Sequence, residues 1–155
     1  MITIDIPGRD TIQIEPVVLD YNGTIAKDGV LLPEIRQRLQ QLKGMANIYI
    51  LTADTYGTVA AQCKTMDVEV RTFPQERAAQ RKAEIVRELG GNTFCAGNGY
   101  NDIPMFQEAS LAVGIIDREG MCAALALHAD ILVTSAQDAL DLLLKPDRLR
   151  ATLRS

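Results

Sequence analysis

The chain has 155 residues, 47% of them hydrophobic, enough for one sizeable core and too little for two, so a single domain spanning 1–155 is expected. A net charge of −4 with scattered basic residues gives no electrostatic footprint for nucleic acid or an anionic membrane. Met1 to Asp10 lacks the basic start and apolar centre of a secretory leader, and no apolar run approaches the roughly 20 residues of a membrane span, so a soluble, cytoplasmic protein is expected.

In chain order, Ile2 to Ile6 and Thr11 to Glu15 flank Pro7-Gly8-Arg9-Asp10, which predicts an N-terminal hairpin over 1–16. The core at 17–145 then alternates two patterns. Val17 to Leu19 reads as a buried strand, and Pro33 to Leu42 as a helix with proline in its first turn. Ile48 to Leu51 is a strand, Thr58 to Met66 a helix and Val68 to Thr72 a strand. Gln75 to Leu89 has helical spacing and stops at Gly90, and Thr93 to Ala96 is again a strand. Ile103 to Ala109, Met121 to His128 and Gln137 to Leu144 read as helices around strands Leu111 to Ile115 and Ile131 to Val133. The basic tail at 146–155 is expected to be helical after Pro146. Strand and helix alternating this often predict α/β architecture: a doubly wound parallel sheet in three α/β/α layers, with ligands at the C-terminal strand ends. Cys63, Cys95 and Cys122 are odd in number, widely spaced and outside any CxxC pair, so free thiols are expected rather than a disulfide frame or zinc site. His128, the single histidine, lies in an Ala/Leu-rich stretch and is expected to be structural.

Four segments carry chemistry. In Val17 to Thr24 an apolar strand runs into Asp20 and a glycine turn. In Ile50 to Thr58 a strand ends at the hydroxyl of Thr52, although Asp54, Thr55 or Thr58 there also suit an ordinary helix cap. Arg81-Lys82 precedes the Ile85-Val86 pair, and Ala96 to Met105 passes from strand through a glycine turn into a helix. No GxGxxG or GxxxxGK[ST] motif follows any strand, which disfavours an unrelated nucleotide-binding fold.

Together these segments resemble the four motifs of the haloacid dehalogenase (HAD) superfamily. Val17 to Thr24 is similar to DxDGT and to the DKTGT of P-type ATPases, Thr52 to Thr58 to TGDxxxTA, and Ala96 to Met105 to GDGxNDxxM. The resemblance runs from about Val17 to Val133 and implies a fold without a cap domain, since no insertion between Thr52 and Lys82 is long enough for one. It implies Asp20 as the nucleophile that becomes an aspartyl phosphate, with Asn22, Thr52 and Lys82 completing the catalytic set. Gly23, Thr52, Ala53 and Lys82 would hold the phosphate, with Arg81 as the fallback cation, and Asp20, Asn22, Asn98 and Asp102 would hold Mg²⁺.

The stretch between Asp20 and Thr52 is too short for the nucleotide domain of a transport ATPase, so a pump is excluded. Thr24 to Leu32 suffices only for a small flap. In the superfamily a site left open in this way is often covered by another subunit or by a macromolecular substrate, and a homo-oligomer covering it is one expectation here. Asn22 and Asn98 stand where the superfamily usually has aspartates, while the small soluble P-type-ATPase-like subgroup reads DxNGT and GNGxND. The expected activity is Mg²⁺-dependent phosphatase or phosphoryl transfer on a small phosphorylated substrate, slow on ordinary phosphomonoesters. The alternative is a phosphate-binding or regulatory module with little turnover.

Overall fold

The computed structural model describes residues 1–54 and 57–155. Its elements are β1 (Ile2–Ile4), β2 (Ile12–Ile14), β3 (Pro16–Asp20), β4 (Ala26–Lys27), β5 (Val30–Leu31), α1 (Pro33–Leu42), β6 (Asn47–Thr52), α2 (Thr58–Cys63) and β7 (Glu69–Thr72). They continue with α3 (Ala78–Leu89), β8 (Phe94–Gly97), α4 (Ile103–Glu108), β9 (Leu111–Ile115), β10 (Ile131–Val133), α5 (Ala136–Leu144) and α6 (Pro146–Leu153).

Six strands form one sheet in the order β10-β9-β8-β3-β6-β7, and every neighbouring pair is parallel. The doubly wound sheet expected from the sequence is present. Alternation along each strand explains the layers. Val17 and Leu19 face one cluster with Ile35 and Leu39 of α1 and Leu140 and Leu143 of α5, whereas Val18, Leu51 and Cys95 face a second with Ile85 and Val86 of α3 and Phe106 of α4. Each face is therefore covered by helices, which is why the strands read as continuous apolar runs.

From β3 the chain crosses to β6 on one side, and from β7 it returns through α3 to β8 on the other. The crevice at this reversal, beyond the C-terminal ends of the strands, is where such folds bind ligands. Asp20 is the last residue of β3 and stands in it.

Several elements differ in detail from the sequence pattern. The segment expected as a helix from Gln75 begins with a 3₁₀ turn at Gln75–Arg77 after Pro74, and α3 proper starts at Ala78. The segment from Met121 is a 3₁₀ helix over Ala123–His128, a tighter form common in short connectors. The second helix ends at Cys63 rather than Met66. The N-terminal hairpin forms, with β1 and β2 antiparallel, and buries Ile2, Ile4 and Ile14 in the same cluster as α1 and α5. It is tied to the C-terminal helix by Arg150 Nε donating to Asp5 O at 3.1 Å and Ser155 N to Pro7 O at 3.2 Å. Residues 24–32 form the two-stranded flap β4–β5. Cys63 and Cys95 are buried and Cys122 is half-buried, all three as free thiols. Among the described residues no helix is long and apolar enough to cross a membrane.

Candidate active site

β3 delivers Asp20 to the crevice because Val17 to Leu19 are wholly buried between β6 and β8, fixing the strand's position and register. Tyr21 N then donates to Leu51 O at 3.2 Å, and Tyr21 O accepts from the amides of Thr24, Ile25 and Ala26, so the chain turns sharply away from the sheet.

Lys82, on the inner face of α3, is 3% exposed and reaches three acceptors. Its Nζ donates to Asp20 Oδ1 at 3.0 Å, Asp102 Oδ1 at 2.8 Å and Asn101 Oδ1 at 3.0 Å. An ammonium has three hydrogens, so this one is saturated. Arg81, the fallback cation, points away from the site and pairs with Glu84 at 2.8 Å and Glu88 at 3.3 Å.

Asp102 is fully buried, and its second oxygen accepts from Asn98 N at 3.1 Å and Gly99 N at 3.0 Å. The turn closes tightly around it: a Cβ on Gly97 would collide with Asp102 Oδ2 and lie 2.7 Å from its Cγ. Both oxygens of this carboxylate are thus committed to organising the loop and Lys82.

The electrostatics follow from that packing. Burial raises the Asp20 pKa to about 7, with the Asp102 charge adding to the rise and Lys82 partly offsetting it. Burial alone would pull Lys82 down, but the two carboxylates outweigh it and its pKa is raised. Two carboxylates around one ammonium leave a site that a further positive charge would stabilise.

Asp20 Oδ2 accepts one side-chain hydrogen bond among the described residues, a long one from Thr24 Oγ1 at 3.5 Å, so this oxygen is available for chemistry. Thr52, at the tip of β6, is 2% exposed and its hydroxyl accepts from Asp54 N at 3.1 Å. Asp54 caps α2 by accepting from Val59 N at 2.9 Å and Thr58 Oγ1 at 3.0 Å, which is the capping role open from sequence. Thr55, another cap candidate, lies outside the described residues. Ala53 lines an open groove of about 1050 Å³ with Tyr21, Asn22, Asp54, Phe73 and Pro74. A cavity of about 540 Å³ at the other end of the sheet, lined by Met1, Glu15 and Met45, carries none of these residues.

Asn22 is exposed beside Asp20, and Gly23 turns the chain at φ +73° with its N–H engaged by Ala26 O. Asn98 donates from Nδ2 to Gly120 O at 3.4 Å. Among the described residues no group of three or more His, Cys, Asp or Glu side chains converges on a metal position. The donors do suit a weakly held Mg²⁺, which commonly takes one or two carboxylates and completes its shell with substrate phosphate and water. Asp20 Oδ2 and the amide oxygens of Asn22 and Asn98 are of that kind.

Two contributors are missing from the sequence reading. Asn101 holds Lys82, and its place in the glycine turn beside Asp102 was its only signal. Thr24, 3% exposed, stands against the open oxygen of Asp20 and was quoted only as part of the motif.

No family model matches the chain. A soluble P-type ATPase-like phosphatase of Methanocaldococcus jannaschii is 27% identical over 123 residues, covering 77% of this chain and 45% of that protein, so the chain spans less than half the length of that relative. Among solved structures, a Streptomyces avermitilis protein assigned to the HAD family of hydrolases superposes with a TM-score of 0.70 at 18% identity, over 87% of each chain. The 3-deoxy-D-manno-octulosonate 8-phosphate phosphatase of Moraxella catarrhalis, solved with magnesium ion, phosphate ion and the sugar acid, gives 0.70 at 17% identity over 91% of this chain and 94% of that one. At such identities the structural matches establish the fold.

Proposed function

We propose, from the premise that this chain belongs to the HAD superfamily and to its soluble P-type-ATPase-like branch, that it is a Mg²⁺-dependent phosphatase acting through an aspartyl phosphate on Asp20. The observation that carries this reading is the triad in which buried Lys82 Nζ bridges half-buried Asp20 and buried Asp102 while Asp20 Oδ2 stays open.

In the first step Asp20 Oδ2 attacks phosphorus, and the bond from phosphorus to the leaving oxygen breaks; that oxygen departs with the bonding pair and takes its proton from solvent, leaving the phosphoryl group on Asp20. Lys82 holds Oδ1 and restrains the carboxylate's rotation. The Thr52 hydroxyl at the tip of β6 and the Ala53 amide after it would hold the phosphoryl oxygens, whereas the Gly23 N–H, expected to do the same, is already given to Ala26 O. Asp20, Asn22 and Asn98 would hold Mg²⁺, which when bound would neutralise phosphoryl charge, with Asp102 fixing the loop behind them. Preorganised charge of this kind dominates phosphoryl transfer.

In the second step water attacks phosphorus and frees Asp20. Asn22 can orient that water but cannot accept its proton at neutral pH, and absence of a general base typically forfeits about 10²- to 10⁴-fold in rate. Dephosphorylation is therefore the slow step, and because an amide cannot protonate a leaving oxygen either, donors with good leaving groups lose least in the first step. A small phosphorylated molecule would enter by the open groove lined by Asn22 and Ala53, and a second copy of the chain would close over it.

The test is a panel of phosphorylated metabolites assayed with Mg²⁺ on the wild type and on Asp20→Asn. Release of phosphate from at least one by the wild type only supports the reading. Binding of phosphate without release from any of them favours the phosphate-binding module, which the two amides would suit.

A further inference from the structure

One acidic side chain at the site's edge belongs to none of the four motifs. Between β9 and the 3₁₀ helix at Ala123–His128, residues 117–120 make a tight turn: Gly120 N donates to Asp117 O at 2.7 Å, Arg118 N to Asp117 Oδ1 at 2.8 Å, and Gly120 has φ +74°. The turn directs Glu119 onto the nucleophile loop. A Cβ on Gly23 would collide with Glu119 Oε2, lie 3.0 Å from Glu119 Cδ and 3.2 Å from Asn98 Nδ2. Absence of a side chain at Gly23 therefore opens the space that the Glu119 carboxylate occupies, next to Asn98.

The same turn is fastened to Asn98. Asn98 Nδ2 donates to Gly120 O at 3.4 Å and Cys122 N donates to Asn98 O at 2.8 Å, so Glu119 and Asn98 are positioned as one unit. Among the described residues Glu119 makes no hydrogen bond or ion pair. Its carboxylate stands against Gly23 and Asn98, at the edge of a site where Asp20 and Asp102 already outnumber Lys82. A carboxylate held there without a partner raises the electrostatic cost of admitting phosphate unless a cation lies between them.

We propose that Glu119 supplies the divalent-cation position beside Asp20 with the carboxylate that Asn98 lacks. The inference rests on the reading of Asp20 as the centre of a Mg²⁺-dependent site. It brings the carboxylate count to two, Asp20 and Glu119, which with amide oxygens and a substrate phosphate is an ordinary Mg²⁺ shell. It also accounts for an amide at position 98 in a chain that keeps the rest of the motif.

Titration calorimetry of Mg²⁺ in the presence of inorganic phosphate tests this on the wild type, Glu119→Gln, Asp20→Asn, and Glu119→Gln combined with Asn98→Asp. Glu119 is exposed and unbonded, so its variant should melt as the wild type does. The expected result is a loss of affinity of roughly tenfold or more in Glu119→Gln, the lower end of the effect of removing even an outer partner of a metal site. Asp20→Asn should weaken binding likewise, and Asn98→Asp should restore it in the Glu119→Gln background. Wild-type affinity in Glu119→Gln, with binding weakened in Asp20→Asn, overturns the role of Glu119 and leaves the phosphatase reading standing. A deficit that vanishes in about 1 M KCl, where exposed charges are screened within about 3 Å, marks remote attraction and also overturns it. No Mg²⁺ binding by the wild type overturns both this inference and the Mg²⁺-dependent reading.

Discussion

Lys82 and Asp102 form a buried ion pair at 2.8 Å, and the other oxygen of the same carboxylate holds the amides of Asn98 and Gly99. One side chain thereby sets both the cation facing Asp20 and the shape of the loop beside it. Asp102→Asn should cost up to about 3 kcal/mol, the lower end of the range for breaking a buried pair, because Lys82 keeps Asp20 as a partner. Urea unfolding of variant and wild type measures it. A change within about 0.5 kcal/mol would mean that the pair does not organise the fold.

Asn22→Asp tests which step limits turnover. The variant gains a base at the residue beside Asp20, so steady-state hydrolysis of a good leaving-group substrate should rise and the phosphoenzyme burst in rapid quench should shrink. Asn22 and Asn98 both precede glycine and are prone to deamidation, so peptide mass spectrometry of fresh protein must accompany the comparison. A variant no faster than wild type would show that base catalysis is not what is missing.

Away from the site, Arg38 of α1 grips Asp141 of α5 through Nε at 2.9 Å and Nη2 at 3.3 Å, with Lys145 and Arg148 at 3.7 and 3.5 Å. The bonds from Arg38, then its charge and those of Lys145 and Arg148, lower the Asp141 pKa despite partial burial. A carboxylate with a depressed folded-state pKa adds stability above its unfolded value, about 3.9, and loses it as pH falls through the folded value. Asp141→Asn should thus be less stable than wild type by about 1–3 kcal/mol at neutral pH, with the gap closing below about pH 4. Melting curves across that range check it, and a gap independent of pH would assign the effect to packing.

The sheet was legible in the sequence because both of its faces are covered: strands such as Leu111 to Ile115 are buried along their whole length and read as unbroken apolar runs. The helix type around Gln75 and Ala123 was not, since 3₁₀ and α segments share their apolar spacing over one or two turns. At the site, Asp20 and Lys82 were reached through the resemblance to the family's motifs, and the structure brings the two side chains together. The loop-organising bonds of Asp102 were not, because a motif gives the residue but not which of its oxygens is already taken. Glu119 left no signal at all, since its approach depends on an absent side chain at Gly23, far away in sequence.

Mg²⁺ alone should bind weakly and bind more tightly once a phosphate analogue is present, because the substrate group is part of the cation's shell. Calorimetry with and without beryllium fluoride measures the difference. Equal affinities would mean that the protein completes the shell by itself.

Acid quench of the protein with Mg²⁺ and a reactive phosphoryl donor, followed by peptide mass spectrometry, reads whether phosphorus is transferred to Asp20. A phosphoryl group on the peptide carrying Asp20 in the wild type, and none in Asp20→Asn with the fold retained, is the predicted result. Turnover by Asp20→Asn, or phosphate release by the wild type with no phosphoryl group on Asp20 at any quench time, would contradict that transfer.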